Sequence, residues 1–341
     1  MPEIIAEYID RLVNVEMRFG SGLPRGVTHR IYDAARAEQG KPLTYLAAKG
    51  LKDRVKPGDY VFIVTGAGLD PGLPWGETDG PLGAASVARA VGLGLGGRPV
   101  AITERRNLEP VRGAFDAAAF TLMDDDMVAG RRTYCAAYRT FPGGLEADER
   151  VCLEAVEKFR PAAMVFVEKG GVNDKGVYHS ITGTGRSTDK MGNAHLLVEM
   201  AKKTGAFTVG IGDGGNEIGF GRIVAAIREI QPYGRRCQCP CGGGVATVVP
   251  ADVLVAAAVS NWGGYGVAAA LAVLLKDPGV LHDEETEALM LHRCVANGGF
   301  DGAYGAQVPM VDGTSAQVQV SMITMLRQIV TNGLKSMSRE F

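Results

Sequence analysis

Short apolar runs recur along the chain, and each stops at a glycine-rich or polar turn: "DYVFIVTGAG" (59–68), "RPVAIT" (98–103), "PAAMVFVEKG" (161–170), "AFTVGIG" (206–212) and "DVLVAAAVS" (252–260). Within them apolar residues follow one another rather than alternating with polar ones, so both faces of each strand need covering. Helical segments separate them: "PLGAASVARAVGLGL" with Pro81 at its first position, residues 189–204, a helix from about Asn216, and "NWGGYGVAAALAVLL". This order predicts an α/β fold, a mostly parallel sheet with helices on both faces in three layers. The N-terminal segment, to about residue 55, reads as helices over 2–16, "GVTHRIYDAARAEQ" and "PLTYLAAKGLKDR". The end reads as helical over about 283–297 and 314–334. No proline- or serine-rich linker and no repeat interrupts the pattern, so residues 1–341 are expected to form a single domain. The stretch 104–145, with "LMDDDMVAGRRTY", reads as an excursion or a lid.

Charge narrows the function classes. The net charge of -2 gives no electrostatic pull toward nucleic acid or an anionic membrane. No apolar run reaches the length of a membrane span, and "MPEIIAEYIDRLVNVEMRFG" is an amphipathic, partly acidic helix rather than a signal peptide. A cytoplasmic location is the expectation. Six cysteines are too few for a disulfide scaffold in a chain of 341 residues.

In a parallel sheet the carboxyl ends of the strands lie on one edge, where ligands bind. Four loops should therefore converge: "LDPGLPWGETDGPLG", "KGGVNDKGVYHSITGTG", "DGGNEIG" and "SNWGGYG". The third lies within "GIGDGGNEIGFG", a literal G-x-G-x-x-G at Gly210, Gly212 and Gly215. A dinucleotide site needs a following strand that ends in an acidic residue about 20 residues on. Glu229 has that spacing but falls inside the helix "GRIVAAIREI", and "QPYGRRCQCPCGGG" follows, so no NAD is expected. The loop instead suits a carboxylate ligand. Backbone N–H groups at Gly214 and Gly215 would take the anion, and Asp213 and Glu217 would offer oxygens to Mg²⁺ or Mn²⁺. Most of the polar residues in these loops also have a structural reading. Asp213 and Asp79 are good helix caps, Glu217 suits a first helical turn, Asn261 suits a cap, and Glu168 suits an ion pair. Glu77 has no capping task.

"CQCPCGGG" places Cys237, Cys239 and Cys241 at alternate positions, unlike the C-x₂-C pairs of common zinc sites, and no histidine lies close by in the sequence. Small buried residues at a turn are the favoured reading, with metal or redox use as the alternative. The histidines show no metal spacing. His179, in "GVYHS", suits proton transfer or a hydrogen-bonded loop position.

Taken together, "WGETDGPLGAASVARAV", "FVEKGGVNDKGVYHS", "GIGDGGNEIGFG" and "SNWGGYGVAAALA" resemble the D-glutamate cyclase-like carboxy-terminal family over roughly residues 10–335. The resemblance implies a stand-alone form of a domain that is elsewhere joined to a second, unrelated one. It implies divalent-metal-dependent conversion of D-glutamate to 5-oxo-D-proline and water. Its blocks supply Glu77, Asp79, Asp213 and Glu217 as metal candidates. Thr78, Gly80, Gly214, Gly215, Asn216 and Asn261 would position the substrate, and Glu168 or His179 would be the base. Alternatives are a lyase or hydrolase acting on a related lactam or hydroxy acid, and a non-catalytic carboxylate-binding module. The expected partner is a small carboxylate, with no nucleic acid and no membrane; a homo-oligomer is compatible with this.

Overall fold

The computed structural model describes residues 1–18, 23–68, 72–129 and 134–335. Its centre is a seven-stranded sheet in which every pair is parallel. The strands are β1 (Tyr60–Thr65), β2 (Arg98–Glu104), β3 (Thr121–Met123), β4 (Cys135–Phe141), β5 (Ala163–Val167), β8 (Phe207–Gly212) and β9 (Val253–Ala256). Two-residue strands form the antiparallel ribbons β6–β7 (Tyr178–His179, Gly185–Arg186) and β10–β11 (Met310–Val311, Thr314–Ser315). Residues 130–133, in the stretch read as an excursion or lid, lie outside the described residues.

Sheet order is β3-β4-β2-β1-β5-β8-β9. The chain builds outward from β1 on one side through β2 and on the other through β5. The order thus reverses between β1 and β5, and a crevice opens there at the carboxyl ends of the strands. Thr65 and Val167 pair at that point.

Side chains in each strand alternate between two cores. Val61 and Ile63 of β1, Val165 and Val167 of β5, and Val209 and Ile211 of β8 belong to the larger core. Phe62, Val64, Met164 and Phe166 belong to the opposite one. The smaller core is closed by α7 (Leu145–Phe159) and α8 (His195–Thr204). The larger lies under α1 (Pro2–Val13), α2 (Val27–Gln39), α3 (Leu43–Arg54), α4 (Pro81–Arg89), α5 (Leu108–Ala117), α10 (Ser260–Leu275), α11 (Glu284–Ala296) and α12 (Ala316–Leu334). The three-layer α/β/α architecture agrees with the sequence reading. Short helices α6 (Asp125–Ala129) and α9 (Val224–Ile230) complete the set. Among the described residues no helix is long and apolar enough to cross a membrane.

Helix α10 is buried from Ser260 through Val273, as an all-round apolar helix must be. It meets α4 backbone to backbone. A Cβ on Gly83 would stand 2.7 Å from the Asn261 Cα, and one on Gly264 2.8 Å from the Gly83 Cα. Only glycine allows this approach, and it brings the first turns of both helices to the same point of the crevice.

Three readings depart from expectation. The stretch 104–145 is no excursion or lid in its described residues: it supplies β3 and β4 to the central sheet, with α5 before β3 and α6 between the two strands. The helix read over 189–204 begins only at His195. The helix read from about Asn216 begins at Val224, after a 3₁₀ turn at Gly221–Ile223. Gly215 and Gly219 have φ of 104° and 111°, which a helix cannot contain. Bridges from Glu217 to Gly170 and from Gly219 to Pro250 hold the loop extended instead.

Candidate active site

The crevice holds a cavity of 340 Å³ whose lining includes Arg18, Glu77, Glu168, Arg186, Asp213, Asn216, Glu217 and Asp312. The loops after β1, β5 and β8 converge there, as parallel topology requires. Two further groups come from parts of the chain with no sequence signal. Arg18 follows α1, and Asp312 sits at the tip of the β10–β11 ribbon, in a left-handed turn with φ 48°. Arg186 enters on β7.

The carboxylates crowd one another. Ligand oxygens of Glu168, Asp213 and Glu217 lie within 4.8 Å of one another, and so do those of Asp79, Asp213 and Asp312. Asp213 belongs to both groups. Carboxylates this close repel unless a proton or a cation stands between them. Burial, then Asp312 and Asp79, push the Glu77 carboxyl well above its ordinary range. Burial, followed by Glu217 and Asp213, does the same to Glu168. Asp312 rises through burial and its contact with Asp213. Asp213 rises through burial, although Arg18 opposes this. Burial and Asp312 bring Asp79 up to about 8.

Two guanidinium groups face these acids. Arg18 pairs with Asp213 and lies 3.7 Å from Asp312. Among the described residues the buried Arg186 Nε has no hydrogen-bond partner, and burial lowers the proton affinity of the guanidinium while Glu77 and Glu168 oppose this. Asn216 donates from Nδ2 to the His179 carbonyl at 3.1 Å, and its buried Oδ1 accepts nothing. That unused acceptor beside Asp213 and Glu217 suits an ammonium group or a metal ion.

Several residues expected to meet substrate have their polar atoms engaged within the fold. The Asp79 carboxylate accepts from the backbone N–H of Ser260 at 2.9 Å and of Asn261 at 2.7 Å, and so caps α10 rather than α4. Asn261 returns the arrangement: its Oδ1 accepts from Gly80 and Gly83, both at 2.8 Å, and caps α4. Asn261 Nδ2 donates to the Thr78 carbonyl, and the Thr78 hydroxyl donates to the Met310 carbonyl. The N–H groups of Gly214 and Gly215 donate to Glu217 at 3.0 and 2.7 Å, where the sequence reading placed the substrate carboxylate. Glu168 sits at φ 48° just past β5 and accepts from the Ser260 hydroxyl. Glu77, by contrast, has no hydrogen-bond partner for its carboxylate among the described residues. A Cβ on Gly302 would come within 2.7 Å of its Oε2.

His179 does not aim its ring at the carboxylates. Its Nε2 lies 3.3 Å from the Cys239 sulfur and 3.5 Å from that of Cys241. The expectation that the cysteine turn lacks a histidine is therefore overturned: folding brings one from the β6–β7 ribbon, some 60 positions away in the chain.

The family model described as D-glutamate cyclase-like, C-terminal matches residues 22–327. Mitochondrial D-glutamate cyclase of Homo sapiens is 36% identical over 118 residues, which make up 33% of this chain and 17% of that protein. The match thus spans about a sixth of that relative's length. With most of its length matched by the family model, this chain belongs to the D-glutamate cyclase-like, C-terminal family.

Proposed function

We propose that the protein is a divalent-metal-dependent enzyme acting on a small amino or hydroxy dicarboxylate, with cyclisation of D-glutamate to 5-oxo-D-proline and water as the named case. The observation that carries the reading is the Glu168–Asp213–Glu217 group, sharing one cavity with Arg186, whose Nε has no hydrogen-bond partner among the described residues. Mg²⁺ or Mn²⁺ suits an all-oxygen donor set, and Glu168, Asp213 and Glu217, or Asp79, Asp213 and Asp312, would hold it. When bound, such an ion polarises a carboxylate and stabilises negative charge on its oxygen.

The chain's own groups supply the remainder. Arg186 binds the substrate's α-carboxylate through its guanidinium fork. Asn216 Oδ1 accepts from the substrate ammonium and orients it. Where Asp79, Asp213 and Asp312 hold the ion, Glu168 is left free, with its raised proton affinity, to move protons between the two ends of the reaction. Cyclisation forms one C–N bond and breaks one C–O bond. The ammonium gives up two protons, both reach the departing oxygen as water, and the net charge change is zero. One carboxyl group carries both if it accepts a proton from nitrogen and releases it to oxygen twice, once for each proton. Ring closure within one molecule also gains from proximity, with effective molarities on the order of 10⁵ M or more.

The partner in this reading is a small carboxylate and not nucleic acid, and the location is cytoplasmic; the human relative is named as mitochondrial. Purified chain with Mn²⁺ or Mg²⁺ is expected to interconvert D-glutamate and 5-oxo-D-proline, followed by chiral chromatography. Folded, metal-supplied protein that binds D-glutamate without turning it over would leave a carboxylate-binding module. Turnover of another lactam or hydroxy acid would keep the enzyme and change its substrate.

A further inference from the structure

The sulfurs of Cys237, Cys239 and Cys241 stand 3.4, 3.4 and 3.3 Å apart, and His179 Nε2 closes the group, all four ligand atoms lying within 4.8 Å. The geometry points to a second metal site, a Cys₃His centre for Zn²⁺ or a similar tetrahedral, thiophilic ion, beside the carboxylate cavity, whose lining includes His179. This inference does not rest on the proposed reaction.

The donor set is the first argument. Thiolates and a neutral imidazole select zinc-class ions over Mg²⁺ or Mn²⁺, and Cys₃His is a closed structural set. A regular zinc tetrahedron with Zn–S near 2.3 Å separates its sulfurs by about 3.8 Å, so a spread of a few tenths of an ångström admits the ion. A disulfide would use two sulfurs and leave the third, and the histidine, without a purpose.

The atoms around the ligands give the second argument. His179 Nδ1 lies 3.2 Å from the Val177 carbonyl, which can only accept. Nδ1 therefore carries the proton, and the Nε2 lone pair faces the sulfurs, which is the orientation that outer hydrogen bonds impose on metal-binding histidines. The Gly243 N–H and the Asn173 Nδ2 point at the Cys241 sulfur at 3.5 and 3.6 Å, as donors to a thiolate do. Asn173 also donates to the Gly244 carbonyl at 2.8 Å and accepts from the N–H groups of Lys175 and Val177, so it orders both sides of the centre.

Backbone fit is the third. A Cβ on Gly185, the register partner of His179, would stand 2.8 Å from the Cys239 sulfur. The ribbon is thus pressed against the cysteine turn at the one residue that leaves room for sulfur. Because Arg186 follows on the same strand, the ion would fasten the ribbon that delivers Arg186 to the cavity.

The test uses the full chain, reduced and stripped of metal, titrated with Co²⁺ and then Zn²⁺. The expected result is one equivalent bound with thiolate-to-cobalt charge-transfer absorption and tetrahedral d–d bands, bleached by Zn²⁺. Cys239→Ser and His179→Gln should each weaken Co²⁺ binding by at least about tenfold and shift those bands. X-ray absorption of the zinc-loaded wild type needs no variant, and should give sulfur at about 2.3 Å and nitrogen at about 2.0 Å. A folded, reduced chain that shows no thiolate charge transfer, an oxygen-only shell, or bands unchanged in both variants would each overturn the site.

Discussion

Ser86 on α4, Tyr265 on α10, His282 just before α11 and Glu287 on α11 are 1%, 0%, 1% and 0% exposed, at least as deeply buried as Asp79, Asp213 and Asp312 at the strand edge. In the helical layer each group has its partner: Tyr265 donates to Glu287 at 2.8 Å, His282 Nε2 meets the other Glu287 oxygen at 2.9 Å, and Ser86 meets His282 Nδ1 at 3.1 Å. At the strand edge, among the described residues, six carboxylates face two guanidinium groups, Arg186 Nε and Asn216 Oδ1 have no partner, and acids lie against acids. The first region is a completed polar network that joins three helices. The second is held in an arrangement that costs stability, which the surrounding fold must offset. Burial alone therefore does not identify a site; burial with unmet electrostatic demand does.

The contrast can be broken in order of effect. Glu287→Ala strands Tyr265 and His282 without their acceptor and should cost about 3–5 kcal/mol in denaturant unfolding. Calorimetry on the folded fraction should show unchanged Mn²⁺ affinity. A variant of unaltered stability would mean that the helical network is not structural.

Asp213→Asn makes the opposite demand. It removes the one carboxylate common to both acidic groups, so metal-dependent kcat/KM should fall about 10²–10³-fold, comparable to the loss of a charge-stabilising group. Stability should change little, because a repelling charge leaves together with the Arg18 pair. Wild-type metal affinity in this variant would place the ion elsewhere.

The third test reads a slope. Asp79 holds its proton up to about 8 in the folded chain against an ordinary value of 3.8. Across that window the folded state binds more protons than the unfolded one, so stability is greatest below the lower value and declines as pH rises toward the upper. Metal-free protein should lose stability steadily through this range, and saturating Mn²⁺ should flatten the slope by replacing protons. A metal-free curve that rises with pH would remove the crowded-acid account.

Much of this was legible in the chain, for identifiable reasons. Buried parallel strands leave unbroken apolar runs, so β1, β5, β8 and β9 could be read directly, and their carboxyl ends located Glu77, Glu168, Asp213 and Glu217. Arg18 and Asp312 were not legible, since a lone arginine after a helix and an Asp-Gly turn have common structural uses. Asp79 and Asn261 read as caps, but nothing local says that each caps the other's helix. The "DGGNEIG" loop read as a helix start because Asp and Glu favour that position. In the folded chain Glu217 turns back onto Gly214 and Gly215, and the helix waits until Val224. The cysteine turn failed for distance: its fourth ligand lies on another ribbon.

The glycine contact between α4 and α10 bears on how this cavity could be re-engineered. With Gly83 and Gly264 at backbone contact and Asp79 and Asn261 locked across the joint, the helix pair has a spacing that side-chain exchange cannot adjust. The two ribbons carry Arg186 and Asp312, whose side chains line the cavity. Selection for a longer or shorter substrate should therefore accumulate changes in residues 178–186 and 310–315 and leave the helix joint untouched.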